Sequence, residues 1–261
     1  MQKYIDGNRE AWNTASLYHQ KAMADVWMQG FTKPGYTSFD EFDYKLYKHI
    51  TFEGKSVFQA PCNNGREILS FINMGAVEGV GFDISDENIN FSNKLKSISG
   101  LKAEFYRTNV YEISNQFNNQ FDIGIISAGS IMWMPDLKGY FQIYRRLLKS
   151  GGILFIYEMH PLTTAYPYSF RKNDKIEFET SYFTKGVIVT NDSLDYYGNA
   201  EYVSPPQYNF QYPISKIIQT LIDLNFAIKE FKEYPHDLGG GHVYLEGKIP
   251  LCYHIWADKN C

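Results

Sequence analysis

From Ser56 to Tyr157 short apolar runs alternate with amphipathic stretches, and this rhythm constrains the fold more than any other feature of the chain. Ser56–Ala60, Val77–Phe82, Ala103–Tyr106, Phe121–Ser127 and Ile153–Tyr157 read as short buried strands. Between them, Glu67–Met74 reads as a helix, and Ser85 caps another with Asp86 and Glu87 in its first turn. Leu137, Tyr140, Phe141, Tyr144, Leu147 and Leu148 recur with a 3.6-residue period, and Gly151-Gly152 is expected to end that helix. Strands that are apolar on both faces and joined by helices build a parallel sheet covered on both sides.

The flanks extend this frame. Residues 8–28 have helical spacing, with a break expected at Gly30–Gly35, and Phe39, Phe42, Leu46 and Ile50 share one face of a second helical piece. Residues 161–212 interrupt the rhythm with a Tyr-rich stretch, in which Ile176–Thr180 and Val187–Val189 read as antiparallel strands. A helix over 214–222 and strands near 226–232 and 251–257 resume it. The reading is one α/β domain with a Rossmann-like, seven-stranded, mostly parallel sheet, flanking helices and an antiparallel last strand. A helical lid (1–50) precedes the core (51–160). An aromatic-rich β cap (161–212) then precedes a segment that completes the sheet (213–261).

Composition narrows the partners. A net charge of −4, with no basic cluster larger than Arg145-Arg146 or Arg171-Lys172, excludes a nucleic-acid footprint. Cys62, Cys252 and Cys261 lack the spacing of a disulfide framework or a metal site. No stretch approaches the ~18–20 apolar residues of a membrane span, and the first residues lack a signal-peptide core. The expectation is a soluble cytoplasmic protein, monomeric or homodimeric, acting on a small molecule.

Ligands of open α/β sheets bind beyond the carboxyl ends of the strands. After the first strand comes Ala60-Pro61-Cys62-Asn63-Asn64-Gly65, a turn of mostly small residues. After the second comes Asp83-Ile84, with Asp83 lying 18 residues beyond Gly65 (83 − 65), near the offset at which an acid grips ribose hydroxyls. Asn109-Val110, Ser127-Ala128 with Trp133, and Glu158-Met159-His160 follow the next three.

These residues resemble class I S-adenosylmethionine-dependent methyltransferases. Val57–Glu67 is similar to the family's first motif, with Pro61 and Asn63 in place of the first two glycines, Gly65 matching the third, and Gln59 in place of the usual acid. Leu147-Leu148-Lys149-Ser150-Gly151-Gly152 resembles the family's later turn. Trp12 to Tyr18 resembles the entry helix of the ubiquinone- and menaquinone-biosynthesis type.

The resemblance implies S-adenosylmethionine as cofactor, with Asp83 on ribose and Asn109-Val110 beside adenine. Tyr18, Ala60, Pro61, Cys62, Asn63, Gly65, Ile84, Ser127 and Ala128 would complete that site. The acceptor is expected between Trp133, His160 and the cap, with His160 as base or orienting residue and His19, His236 and His242 as further candidates. Two rivals are a non-catalytic relative that binds or regulates, and a nicotinamide-dependent dehydrogenase, for which Gly-x-Gly-x-x-Gly is missing.

Overall fold

The computed structural model describes residues 1–166 and 177–260. Its main sheet comprises β1 (Ser56–Gln59), β2 (Glu78–Asp83), β3 (Ala103–Arg107), β4 (Phe121–Ile126), β5 (Leu148–Met159), β8 (Phe226–Tyr234) and β9 (Cys252–Lys259). The spatial order is β3-β2-β1-β4-β5-β9-β8, and β9 alone runs opposite to the other six strands. Every residue of β1 is buried, as a central parallel strand requires.

On one face lie α1 (Gln2–Phe31), α2 (Glu41–Tyr47), α3 (Arg66–Asn73) and α4 (Asp86–Ser99), packed through Trp27, Tyr47, Leu69, Phe71 and Phe91. On the other, α5 (Leu137–Leu147) and α6 (Ile214–Asp223) bury Tyr140, Phe141, Tyr144, Ile217 and Leu221. The Ser85 cap forms as the sequence indicates, and α5 has one that the sequence reading does not single out. The Ser85 hydroxyl accepts from Asn88 N at 3.1 Å, and the Asp136 carboxylate accepts from Gly139 N at 2.9 Å.

The break expected at Gly30–Gly35 is there: α1 ends at Phe31, and Gly30 in its last turn leaves room for the Tyr36 ring, which a side chain would strike. Two expectations are corrected. Gly151-Gly152 does not end α5, which stops at Leu147. Leu148 already pairs with Phe121, and the glycines sit in β5 where its register with β4 shifts, Gly151 taking φ 71°.

The second correction concerns the cap. Glu177–Thr180 is not a strand, and Ile176 and Arg171-Lys172 lie outside the described residues, as does Cys261. The exposed backbone there bonds instead to the turn at Thr163–Ala165, with Glu179 N donating to Ala165 O at 2.8 Å. The cap's hairpin pairs β6 (Val187–Thr190) with β7 (Gln207–Phe210).

The cap is fastened to α1. Asn8 acts as an extra strand residue: its Nδ2 donates to Tyr208 O at 2.9 Å and its Oδ1 accepts from Tyr208 N at 2.7 Å. Gly7 gives the Tyr208 ring room, since a Cβ would lie 2.4 Å from it. Farther along, His19 Nε2 lies 2.8 Å from Leu194 O. Among the described residues no helix is long and apolar enough to cross a membrane.

Candidate functional site

The carboxyl ends of the parallel strands open into a cavity of about 1140 Å³, roofed by α1 and the cap. Pro61, Cys62, Asn63, Asp83, Ile84, Asn109, Val110, Ser127, Ala128, Trp133 and His160 all line it. Tyr18, Ala60 and Gly65 do not.

Each of these three has another duty. Tyr18 stacks on Tyr202 with ring centroids 4.2 Å apart, while Trp12 takes the wall position. Ala60 O accepts from the Tyr140 and Tyr144 hydroxyls at 2.7 and 2.8 Å, so its backbone is tied to α5. Gly65 caps α3 at φ 74°, where a Cβ would meet Phe105 at 2.6 Å.

The turn after β1 is held by β2. Cys62 N donates to Phe82 O at 2.8 Å, and Asn63, at φ 49°, donates its N–H to Asp83 Oδ2 at 2.8 Å. Asn therefore supplies the left-handed backbone that a glycine would otherwise provide. Asp83 Oδ1 accepts from Ser85 N at 2.9 Å. Burial pushes the Asp83 carboxyl up to about 6, against the pull of these N–H donors. Burial also keeps the Cys62 thiol protonated, so it is no nucleophile.

Beside this turn, Gln59 Nε2 donates to Glu67 Oε2 at 2.6 Å and to Ser127 Oγ at 2.8 Å. The acid absent at position 59 is thus supplied by Glu67 in the first turn of α3, a partner the strand motif could not reveal. With its nitrogen fixed on a carboxylate, Gln59 leaves Oε1 buried on the wall without a partner. Arg66 is the only lysine or arginine among the described lining residues. Its guanidinium donates to Ser38 O at 3.1 Å and lies 5.8 and 5.9 Å from the Trp27 and Tyr197 rings. Asp43 stands on the same wall, pushed up to about 7 chiefly by burial and then by Asp40 and Glu67.

The wall beyond β4 and β5 is organised by Glu158. Its carboxylate accepts N–H bonds from Gly129, from Ser130 at 2.8 Å and from Ile131 at 2.9 Å, and one from Met159 at 2.9 Å. This fixes the turn that presents Trp133, whose ring meets Trp12 edge-on with centroids 5.3 Å apart. Burial raises Glu158 to about 7 despite the four donors.

His160 is placed where the sequence indicates but is not poised as a base. Its Nδ1 accepts from Leu162 N at 3.1 Å, and its Nε2 lies 3.1 Å from Glu233 Oε1 on β8. Both nitrogens face protein, and burial holds the ring below the ordinary histidine value against the pull of Glu233. His19 and His236 are off the wall, and His242 is on it.

Residues 52–198, more than half of the chain, match the model of a methyltransferase domain. An uncharacterized protein of Haemophilus influenzae is 22% identical over 191 residues, covering 69% of this chain and 70% of that protein. Among solved structures, a protein of Listeria monocytogenes assigned as an S-adenosylmethionine-dependent methyltransferase superposes with a TM-score of 0.67. It is 17% identical and covers 84% of this chain and 97% of its own. The S-adenosylmethionine-dependent methyltransferase of Mesorhizobium loti gives 0.63 at 16% identity, with 85% and 98% covered.

Proposed function

The chain belongs to the methyltransferase-domain family, and from that premise we propose that it transfers the methyl group of S-adenosylmethionine to a small molecule bound in the same cavity. The single observation that carries this reading is the continuity of that cavity. It runs from the ends of β2 and β3 to the cap, and at about 1140 Å³ it exceeds the ~300–1,000 Å³ of a one-ligand pocket.

The wall fits the cofactor group by group. Asp83 offers carboxylate oxygens for ribose hydroxyls, and Ile84 and Val110 offer apolar contact for a base whose edge Asn109 would meet. The unpartnered Gln59 Oε1 suits an ammonium donor, and Arg66 suits a carboxylate, so the two ends of an amino-acid moiety each find a complement. The turn Pro61–Asn64 brings backbone rather than bulky side chains to the ligand.

When bound, the cofactor supplies a methyl group already activated on sulfur. The chain's own part is to hold donor and acceptor in line and to exclude water. Trp12 and Trp133 close one side of the cavity, and the cap's Tyr166, Tyr196 and Tyr197 close another.

Calorimetric titration with S-adenosylhomocysteine and with NAD(H) tests the cofactor assignment, with binding of the first and none of the second expected. Incubation with methyl-tritiated S-adenosylmethionine and a deproteinised cell extract then tests transfer. Binding without incorporation into any small molecule would leave a non-catalytic relative.

A further inference from the structure

The cap carries a polar row that methyl transfer alone does not explain. Gln207, Asn209 and Gln211 alternate along β7 and its exit, so all three share one face, and all three are buried against the cavity. Gln207 is satisfied on both sides, donating to Asp192 O and accepting from the Thr190 hydroxyl at 3.2 Å. Gln211 is half satisfied. Its Nε2 donates to Tyr182 O at 2.9 Å and to Pro161 O at 3.5 Å, which pins the nitrogen on carbonyls and turns Oε1 away from them.

That oxygen is buried without a partner, and so are Asn209 Oδ1 and the hydroxyl of Tyr253. Tyr253 lines the same cavity, its ring 6.0 Å from that of His160, which precedes Pro161. Leaving such atoms unpaired is unfavourable, so three of them on one cavity wall point to a ligand that completes them. Two of the three are pure acceptors, and they want N–H or O–H donors. Apolar counterparts stand on the same cavity at Trp133, Met134 and Tyr212, the last fixed by its hydroxyl on Met134 O at 2.6 Å.

We propose that the methyl acceptor is an uncharged amine on an apolar skeleton, its N–H groups held by Gln211 Oε1 and Asn209 Oδ1 beside the Tyr253 hydroxyl. This deepens the methyl-transfer reading and rests on it. Among the described wall residues nothing remains to neutralise a phosphorylated or carboxylated acceptor. The only guanidinium or ammonium on the described wall is Arg66, which serves the cofactor's carboxylate, whereas carboxyl groups stand at Asp40, Asp43, Glu67, Asp83, Glu158 and Glu179.

An amine is favoured over a hydroxyl by what flanks it. A hydroxyl must shed its proton to a base as it attacks. The neighbouring His160 lone pair already takes the Leu162 N–H, and the Glu158 oxygens take four N–H groups. A neutral amine already carries a free lone pair. That pair forms the new N–C bond as the methyl C–S bond breaks. The C–S electron pair stays on sulfur, which becomes a neutral thioether, and the nitrogen becomes an ammonium that yields its proton to water after release. The carboxylate-rich wall favours that positive product.

The test uses methyl-tritiated S-adenosylmethionine with 4-ethylaniline, an aromatic amine that is uncharged at neutral pH, and with 2-phenylethanol, phenylpropanoate and 2-phenylethyl phosphate, and in parallel with a deproteinised small-molecule extract. Label is expected in the amine alone, and in extract products that a cation exchanger retains at acid pH. Gln211→Leu and Asn209→Leu should each raise KM for the amine about tenfold or more, the scale of one lost hydrogen bond, with kcat little changed and S-adenosylhomocysteine affinity within about twofold. Asn209→Asp, which keeps acceptor oxygens in place, should not raise KM. Label in an alcohol, carboxylate or phosphate, or unchanged KM in both leucine variants, overturns the proposal. So does a lack of incorporation from either source while S-adenosylhomocysteine still binds. Loss of S-adenosylhomocysteine binding by the unaltered protein would instead remove the underlying methyl-transfer reading.

Discussion

Replacing Asn8 by alanine probes how the roof is fastened. Asn8 is 6% exposed and satisfies both backbone groups of Tyr208, at 2.9 and 2.7 Å. Alanine leaves a buried N–H and a buried C=O without partners, at about 1–3 kcal/mol each and so roughly 2–6 kcal/mol together. For a domain of this size 1 kcal/mol corresponds to roughly 2–4 °C, so calorimetry should show Tm lower by about 4–24 °C. Hydrogen exchange should show the amide of Tyr208 losing protection first. Thr14→Ala, which removes only an intrahelical bond to Glu10 O, is the control and should shift Tm by less than about 2 °C. An Asn8→Ala protein that melts within about 1 °C of wild type, with Tyr208 still protected, would refute the fastening.

Asp83→Asn should weaken S-adenosylhomocysteine binding by roughly 1.5–3 kcal/mol, read by calorimetric titration. The wild-type affinity should fall as pH drops through about 6, because the ionised carboxylate is the form that accepts ribose hydroxyls. His160→Ala should lower Tm while leaving kcat within about threefold, since its ring joins the loop after β5 to Glu233; a loss of ~10² or more in kcat would restore it as a base. Without ligand, the buried acids Asp83, Asp43 and Glu158 should each add stability as pH falls from about 7.5 to 5, opposed in the same window by His19, His160 and His254, which burial holds below the ordinary histidine value. Asp83, Asp43 and Glu158 all titrate higher folded than unfolded, so their stabilising protonation is complete near pH 4 and lost as pH climbs through 6 to 7. Asp83 alone contributes roughly 1.4 kcal/mol between pH 7.5 and 5, so Asp83→Asn should lose that part of the pH dependence, and identical pH dependence of melting in variant and wild type would contradict it.

The sheet was legible because its parallel strands are covered on both faces, which writes them into the sequence as unbroken apolar runs between capped helices. The strand ends that line the cavity were legible for the same reason. What escaped was fixed by distant partners. The hairpin strand Gln207–Phe210 looks polar because its buried face meets a cavity rather than a core, so periodicity gave no hydrophobic signal. Glu233, which occupies His160, arrives from another strand of the sheet. Tyr18 and Trp12 lie six residues apart, about 240° around the helix, so one could face the cavity only if the other did not. The sequence placed both on the lid, and the structure gives that position to Trp12.

The bond between Asn8 and Tyr208 spans 200 residues, and this has a consequence for the order in which the chain matures during synthesis. At ~5–20 residues per second, α1 leaves the ribosome ~10–40 s before the strand it must hold. It does not wait unsupported: Arg9 Nε reaches Asp86 at 2.8 Å, and Asn13 accepts from the Ser85 hydroxyl at 2.7 Å, so the start of α4 receives α1 after fewer than half as many residues. The helix therefore has an early landing place on the half-built sheet. Its contact with β7 is the late closure, so a nascent chain stopped near residue 205 would carry a docked α1 and an open ligand chamber.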